Sequence, residues 1–490
     1  MRYLQQLSLF LALALLVGCT TPNLPQNSDE GATSALYERS FETHSPNIAM
    51  LNLFFTQMPK GGDLHHHYSG SLYAETYLEW VKNKHWFIDT CTFKIVKAKS
   101  NETCKSVTVD ELIADDTLYR KLLTLWSDKD FDNHSHEQRP PDSNFFNTFG
   151  YFAPISDQYM DVGLAIIKER ALSENVSYIE TMLSRVGVNS AEFFNADEAK
   201  NINAALRHAT TQEEVNALLD SISAVYAHNQ VFGDKVHHFV SELERRHEGI
   251  DTANFTMRYQ TYAIRVVEPL QVYTDLFAGY KAVLSSPLVV GVNIVAPENN
   301  TVAINDYTLH MRMFNYLASH YPQVPRSLHA GELTIGMVEP KELLFHITQA
   351  RKIAGADRIG HGVDIAYEKE SLSLLKELKE HAAVEINLSS NDFILGVAGS
   401  EHPYSLYAAY GVPIVIATDD SGVSRANLSH EYVLLASRYH PSYATIKTYV
   451  YNSIDYSFLT PEQKAKVKRQ LDQKFMVFEK EMSVLAKNLK

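Results

Sequence analysis

Eight short runs of strand-forming residues recur along the chain, separated in most cases by enough residues for a helix. The first is Gly62-Asp63-Leu64-His65-His66-His67; the others cover 176–182, 255–266, 288–294, 326–329, 358–361, 383–388 and 413–419. Strands alternating with helices pair in parallel, and eight is the number that closes a (β/α)8 barrel. An open doubly wound sheet competes with it, but no Gly-rich phosphate loop follows any of the runs. The expected fold is therefore an α/β TIM barrel. Two stretches exceed what such a barrel needs. Residues 83–143 carry two cysteines and a polar segment, and residues 186–254 are charged and helix-rich. Both are read as insertions, after strands one and two, within a single domain spanning 36–490. The chain beyond Asp419 reads as helical, with Phe475, Phe478 and Met482 spaced along the last helix.

The N-terminus has a different character. Met1 to Gly18 holds one charge, Arg2, and an apolar run from Leu7 to Val17, too short to span a bilayer and shaped like a secretory signal. Its end, Leu16-Val17-Gly18-Cys19, resembles the bacterial lipobox, which implies lipid attachment at Cys19. Thr20, where an Asp would hold the protein at an inner membrane, implies an outer-membrane destination facing the periplasm or the exterior. Residues 19–35 are polar and read as a flexible tether. The remaining cysteines, Cys91 and Cys104, are then expected to form a disulfide, worth roughly 2–3 kcal/mol. With 44 Lys+Arg against 58 Asp+Glu and a net charge of −14, the chain lacks the basic surface that a nucleic-acid partner requires. Contact with a membrane is expected only through the lipid.

Polar residues at the strand ends carry the chemistry. His65 and His67 are two apart on a strand and share a face, while His66 points the other way. His329, His361 and Asp419 fall at the ends of strands five, six and eight, which converge on the mouth where barrel enzymes place their active sites. Three imidazoles and a carboxylate suit Zn²⁺ with one coordination position left open.

His65-His66-His67, Ser327-Leu328-His329-Ala330-Gly331-Glu332, Arg358-Ile359-Gly360-His361-Gly362 and Thr418-Asp419-Asp420 together resemble the signatures of the adenosine deaminase family. Met58-Pro59-Lys60-Gly61-Gly62, the enlarged N-terminal region and the Glu385-Ile386-Asn387 segment followed by His402-Pro403 are similar to its secreted, growth-factor-like branch, the adenosine deaminase 2 type. That branch often forms homodimers. The resemblance implies one zinc per chain held by His65, His67, His329 and Asp419. It implies Glu332 as proton donor to the purine N1 and His361 as the group that orients and deprotonates the attacking water. It also places Asp420 at the purine N7 and the Ala296 backbone at N3. Asp419 is thus both ligand and part of the catalytic centre.

Departures from the family pattern fall on the substrate side. Ser69 stands two positions after His67, where an acidic residue usually meets the ribose; Asn293 and Ala296 replace the usual Asp and Gly. The implied function is hydrolytic deamination of adenosine or 2′-deoxyadenosine to the 6-oxo nucleoside and ammonia. The competing readings are a deaminase or amidohydrolase acting on adenine or an N6-substituted adenine nucleoside, and a non-catalytic binding lipoprotein. AMP ranks lower, because no Arg/Lys cluster adjoins the motifs.

Overall fold

The structure is a computed structural model and describes residues 28–100, 104–128 and 140–489. The eight expected strands all form: β1 Lys60–His67, β2 Val176–Ser184, β3 Thr256–Ile264, β4 Val289–Val295, β5 Ser327–Ala330, β6 Arg358–His361, β7 Ala383–Ile386 and β8 Ile414–Ile416. Neighbours pair in parallel in two runs, β1-β2-β3-β4 and β5-β6-β7-β8. Single bridges join the runs, Val292 with Arg326 between β4 and β5, and His66 with Asp419 between β8 and β1. Helices such as Pro269–Ser285 pack against the outside of the strands. The fold is a TIM barrel, and its last strand stops at Ile416, short of the expected Asp419.

The two insertions differ in form. Residues 186–254 fold into three helices, Ala196–His208, Gln212–Ala227 and Gln230–His247, each opened by an Asn or Thr cap. The first insertion holds a feature the sequence pattern did not announce, a three-stranded antiparallel sheet of Phe87–Asp89, Ile95–Val96 and Ser106–Val107. Cys91 and Cys104 are disulfide-bonded beside it, with 5.5 Å between their Cα atoms. The expected boundary at 143 falls inside the helix Pro141–Ser156, so this insertion reaches Ser156.

The tether is corrected in part. Ser28–Glu38 is a helix that packs on the C-terminal helix Pro461–Asn488, burying Thr33, Leu36 and Tyr37. Burial of that face outweighs a polar composition that by itself reads as unstructured. The signal, Cys19 and residues 19–27 of the tether lie outside the described residues. No helix among the described residues is long and apolar enough to cross a membrane.

The barrel interior is polar at its centre. Arg358 is fully buried and lies between the carboxylates of Glu180 and Glu385, its Nη1 donating to the Tyr456 carbonyl at 2.9 Å. Glu180 also accepts from Tyr178, Gln260 and the Phe458 backbone. Removing one member of such a group strands a charge away from water. Arg358→Met is therefore expected to lose about 3–5 kcal/mol of stability, read as a lowered urea midpoint.

Candidate active site

Barrel closure brings the strand ends together. The His67 amide donates to the Asp419 carbonyl at 3.1 Å and the Asp419 amide to the His65 carbonyl at 2.8 Å. Asp63 strengthens the same seam, accepting from the Thr418 hydroxyl at 2.6 Å and from its amide at 3.2 Å. Past Ile416 the backbone leaves the strand, and Asp419 takes a φ of 58°. His361 (φ 68°) and Ala296 (φ 86°) share this left-handed conformation, which is costly for residues with a Cβ. Three strained residues at one mouth point to a site where side-chain direction takes precedence over backbone comfort.

His65, His67, His329 and Asp419 converge as expected. Asp419 Oδ1 lies 3.4 Å from His65 Nε2 and 3.2 Å from His67 Nε2, and His67 Nε2 lies 3.2 Å from His329 Nε2. Tetrahedral zinc with ligands at about 2.0–2.1 Å sets donor atoms about 3.4 Å apart, so these separations fit that ion. The buried His65 Nε2 has no hydrogen-bond partner, as expected of a donor reserved for a metal. His65, His329, His361 and Asp419 offer ligand atoms all within 4.8 Å of one another, and His67 forms a second such group with Asp419 and Asp420; His361 Nε2 is 3.9 Å from Asp419 Oδ2.

The outer partners of these ligands are in place. His65 Nδ1 pairs with Glu385 Oε2 at 2.8 Å, and His329 Nδ1 with Asn293 Oδ1 at 2.9 Å. Both bonds leave Nε2 to face the centre and orient the ring. Gly360 is needed here, because a Cβ on it would come within 2.9 Å of the His65 ring. His66 turns away from the barrel mouth and pairs with Thr181 Oγ1 at 2.9 Å.

Glu332 follows His329 on a turn held by Glu298, whose carboxylate accepts from the amides of Gly331 (3.1 Å) and Glu332 (3.0 Å). Burial opposes the charge on Glu298, but Arg265 and His346 beside it outweigh this and hold its pKa down to about 2. Burial and the neighbouring Asp419 push Glu332 well above the usual carboxylate range, which favours its protonated form. Its Oε1 is 3.7 Å from His361 Nε2. Asp419 and Asp420 divide as their adjacency suggests: Asp419 turns to the imidazoles, while Asp420 packs against Gly70, where a Cβ would overlap its Oδ1. Asp420 is likewise raised by burial and by Asp419.

A cavity of about 620 Å³ opens over these groups, within the usual size for a small-molecule site. His67, Ser69, Ala296, His329, Glu332, His361, Asp419 and Asp420 all line it, while Asn293, expected on the substrate side, instead holds His329. His65 lies beneath, fully buried. Two contributions escaped the sequence reading. One wall is a row of rings, Phe145, Phe146, Phe149 and Phe152, on the Pro141–Ser156 helix; their spacing along one helical face was the signal available. The other is a polar group of Asp157, Ser184, Arg185 and Tyr262. Arg185 follows the end of β2 and pairs with Asp275 at 3.5 Å. Trp80 and Trp126 are buried packing residues.

A parallel eight-stranded barrel with imidazoles and carboxylates converging at its mouth is the build of a metal-dependent hydrolase. The family model for adenosine deaminase matches residues 225–474, half of the chain. The chain belongs to the adenosine deaminase family. Among curated relatives, the adenosine deaminase of Enterococcus faecalis is 33% identical over 155 residues, 31% of this chain and 42% of that protein. The adenosine deaminase of Clostridium acetobutylicum is 33% identical over 147 residues, 30% of this chain and 41% of that protein. The matched segments thus span about two fifths of these relatives' length. Among solved structures, an Arabidopsis N6-mAMP deaminase superposes with a TM-score of 0.55 at 17% identity, covering 86% of this chain and 99% of that one. A zinc-bound amidohydrolase from Burkholderia ambifaria gives 0.52 at 15%, covering 88% and 94%. At such identities the likeness is one of fold.

Purified full chain is expected to carry about one zinc, by metal analysis, and His329→Ala to lose it with the helical spectrum retained. Asn293→Ala, which removes the partner of His329 Nδ1 together with its link to Gln260, should weaken zinc binding by about 10- to 100-fold in a competition titration.

Proposed function

We propose that the protein is a zinc-dependent hydrolase that converts adenosine or 2′-deoxyadenosine to the 6-oxo nucleoside and ammonia. The observation that carries this reading is the place of Glu332, a carboxyl facing the cavity beside the imidazole and carboxylate cluster, 3.7 Å from His361, with burial favouring its protonated form. Zinc, when held by His65, His67, His329 and Asp419, supplies Lewis acidity that brings a water toward ionisation near neutral pH.

The chain's own residues do the rest. Attack at C6 places electron density on the purine N1, and the Glu332 carboxyl can deliver a proton there as the charge develops. Asp420, whose protonated form the same burial favours, can donate to N7 and hold the ring in register. The Ala296 backbone, turned by its positive φ, faces the cavity where N3 would lie. The phenylalanine wall offers flat apolar faces to the base and excludes water from the reacting carbon.

A substrate bearing a 5′-phosphate is the second reading, favoured by Arg185. The sequence placed no cationic side chain beside the motifs, but the fold brings this guanidinium into the cavity. Ser69, in place of an acid, removes a charge that would repel such a group. We also propose that Cys19 anchors the protein by lipid in the cell envelope, facing the periplasm or the exterior. The lipobox-like sequence supports this, as does the Cys91–Cys104 disulfide, which belongs in an oxidising compartment. A homodimer is proposed on resemblance to the growth-factor-like branch alone.

Steady-state ammonia release on adenosine, deoxyadenosine, adenine, N6-methyladenosine and AMP tests the reading. Adenosine or deoxyadenosine is expected to give the highest kcat/KM; a preference for AMP would shift the assignment to Arg185 and the second reading. Glu332→Gln should keep its zinc and lose about 10²- to 10⁴-fold in kcat. Full activity in that variant contradicts the mechanism.

A further inference from the structure

His361 sits at the end of a directed chain of hydrogen bonds that begins at a backbone amide. The Tyr404 N–H donates to His402 Nδ1 at 3.1 Å. A backbone amide can only donate, so this ring nitrogen carries no proton. The other ring nitrogen, Nε2, must then hold the proton of the neutral ring, and it meets Asn391 Oδ1 at 3.1 Å. That sets the Asn391 amide with its oxygen toward His402 and its nitrogen toward His361, where Nδ2 lies 2.9 Å from His361 Nδ1. Reversing the amide would place its NH2 against the His402 N–H, donor against donor. The Asn387 Nδ2 lies 3.3 Å from the same His361 nitrogen. All four side chains are at least 98% buried, so water does not relax these demands.

We propose that His402 and Asn391 lock His361 in the tautomer whose Nε2 carries the proton. In the deaminase reading, on which this rests, His361 is then a hydrogen-bond donor to the attacking oxygen and not the base that deprotonates it. With Nδ1 occupied by an N–H donor, the ring has no site left to take a second proton. Its Nε2 has no hydrogen-bond partner and points between Glu332 Oε1 at 3.7 Å and Asp419 Oδ2 at 3.9 Å. A donor placed there can fix the orientation of an oxygen nucleophile whose proton has gone to solvent, and no bond is made or broken at the imidazole. His402 and Asn391 are positioning residues, acting through His361 and touching no substrate. Burial holds His402 neutral, with a pKa of about 4, which keeps the direction of the chain. This departs from the role expected of His361 from sequence resemblance. That expectation rested on residue type and place, and a tautomer is legible only from its partners.

The zinc-loaded full chain, labelled with ¹⁵N-histidine, reports the tautomer directly by NMR. The His361 signals are identified as those missing from His361→Gln. The account expects a bare, pyridine-type Nδ1 and a protonated Nε2. A protonated Nδ1, or an Nε2 without its proton, overturns it. Asn391→Asp offers His361 an acceptor of nearly the same shape, keeps a partner for His402, and should move the proton to Nδ1. In that variant kcat should fall about tenfold or more with KM within about twofold. A moved proton with unchanged kcat overturns the donor role, and should the variant not fold, the wild-type spectrum still decides the tautomer. A chain that deaminates no purine contradicts the proposed reaction, while its spectrum still tests the lock.

Discussion

The seam between the last strand and the first is the constraint on which the site depends. One pair of backbone hydrogen bonds, linking Asp419 to His65 and His67, closes the barrel through residues that also supply three of the four proposed metal ligands. Closure and ligand convergence are therefore a single event. If β8 continued as a regular strand past Ile416, Asp419 and Asp420 would alternate across the sheet. The left-handed turn at Asp419 instead sends one carboxylate to the imidazoles and the other to the cavity wall. Its conformational cost is offset by the contacts those carboxylates make, a balance common at sites where strain is retained for function.

Beneath the ligands lies a second layer that explains why the barrel centre is polar. From Glu180 one branch runs through Arg358 and Glu385 to His65. Another runs through Gln260 and Asn293 to His329. Two ligands on opposite halves of the barrel thus share one buried network. An apolar centre would pack at lower electrostatic cost, but it would leave both rings free to turn. Orientation of the imidazoles is what the buried charges provide.

Much of this was legible in the sequence, and the limits are physical. The eight strands could be read because a buried parallel strand is a short, mainly apolar run, as in β4 and β8. His65, His67, His329, His361 and Asp419 could be located because spacing of two and strand-end position fix direction, and Glu332 and Asp420 because the motifs around them resemble those of the family. The Phe145 to Phe152 wall was missed because aromatic residues on one helical face look the same whether they meet a core or a cavity. Arg185 was missed because its approach depends on how β2 curves into the mouth, which involves no local pattern. The Ser28–Glu38 helix was read as tether because its stability comes from a partner more than four hundred residues away in the chain. The His402–Asn391–His361 direction requires three side chains and a backbone amide to be seen together.

The central claim is that this mouth adds water to C6 of a purine and expels the amino group. It is tested most directly by incubating the zinc-loaded full chain with adenosine in ¹⁸O-labelled water and weighing the nucleoside by mass spectrometry. The account predicts a 6-oxo product carrying one ¹⁸O, formed with one ammonia per turnover. Adenosine left unchanged, or a product whose oxygen does not come from water, would contradict it.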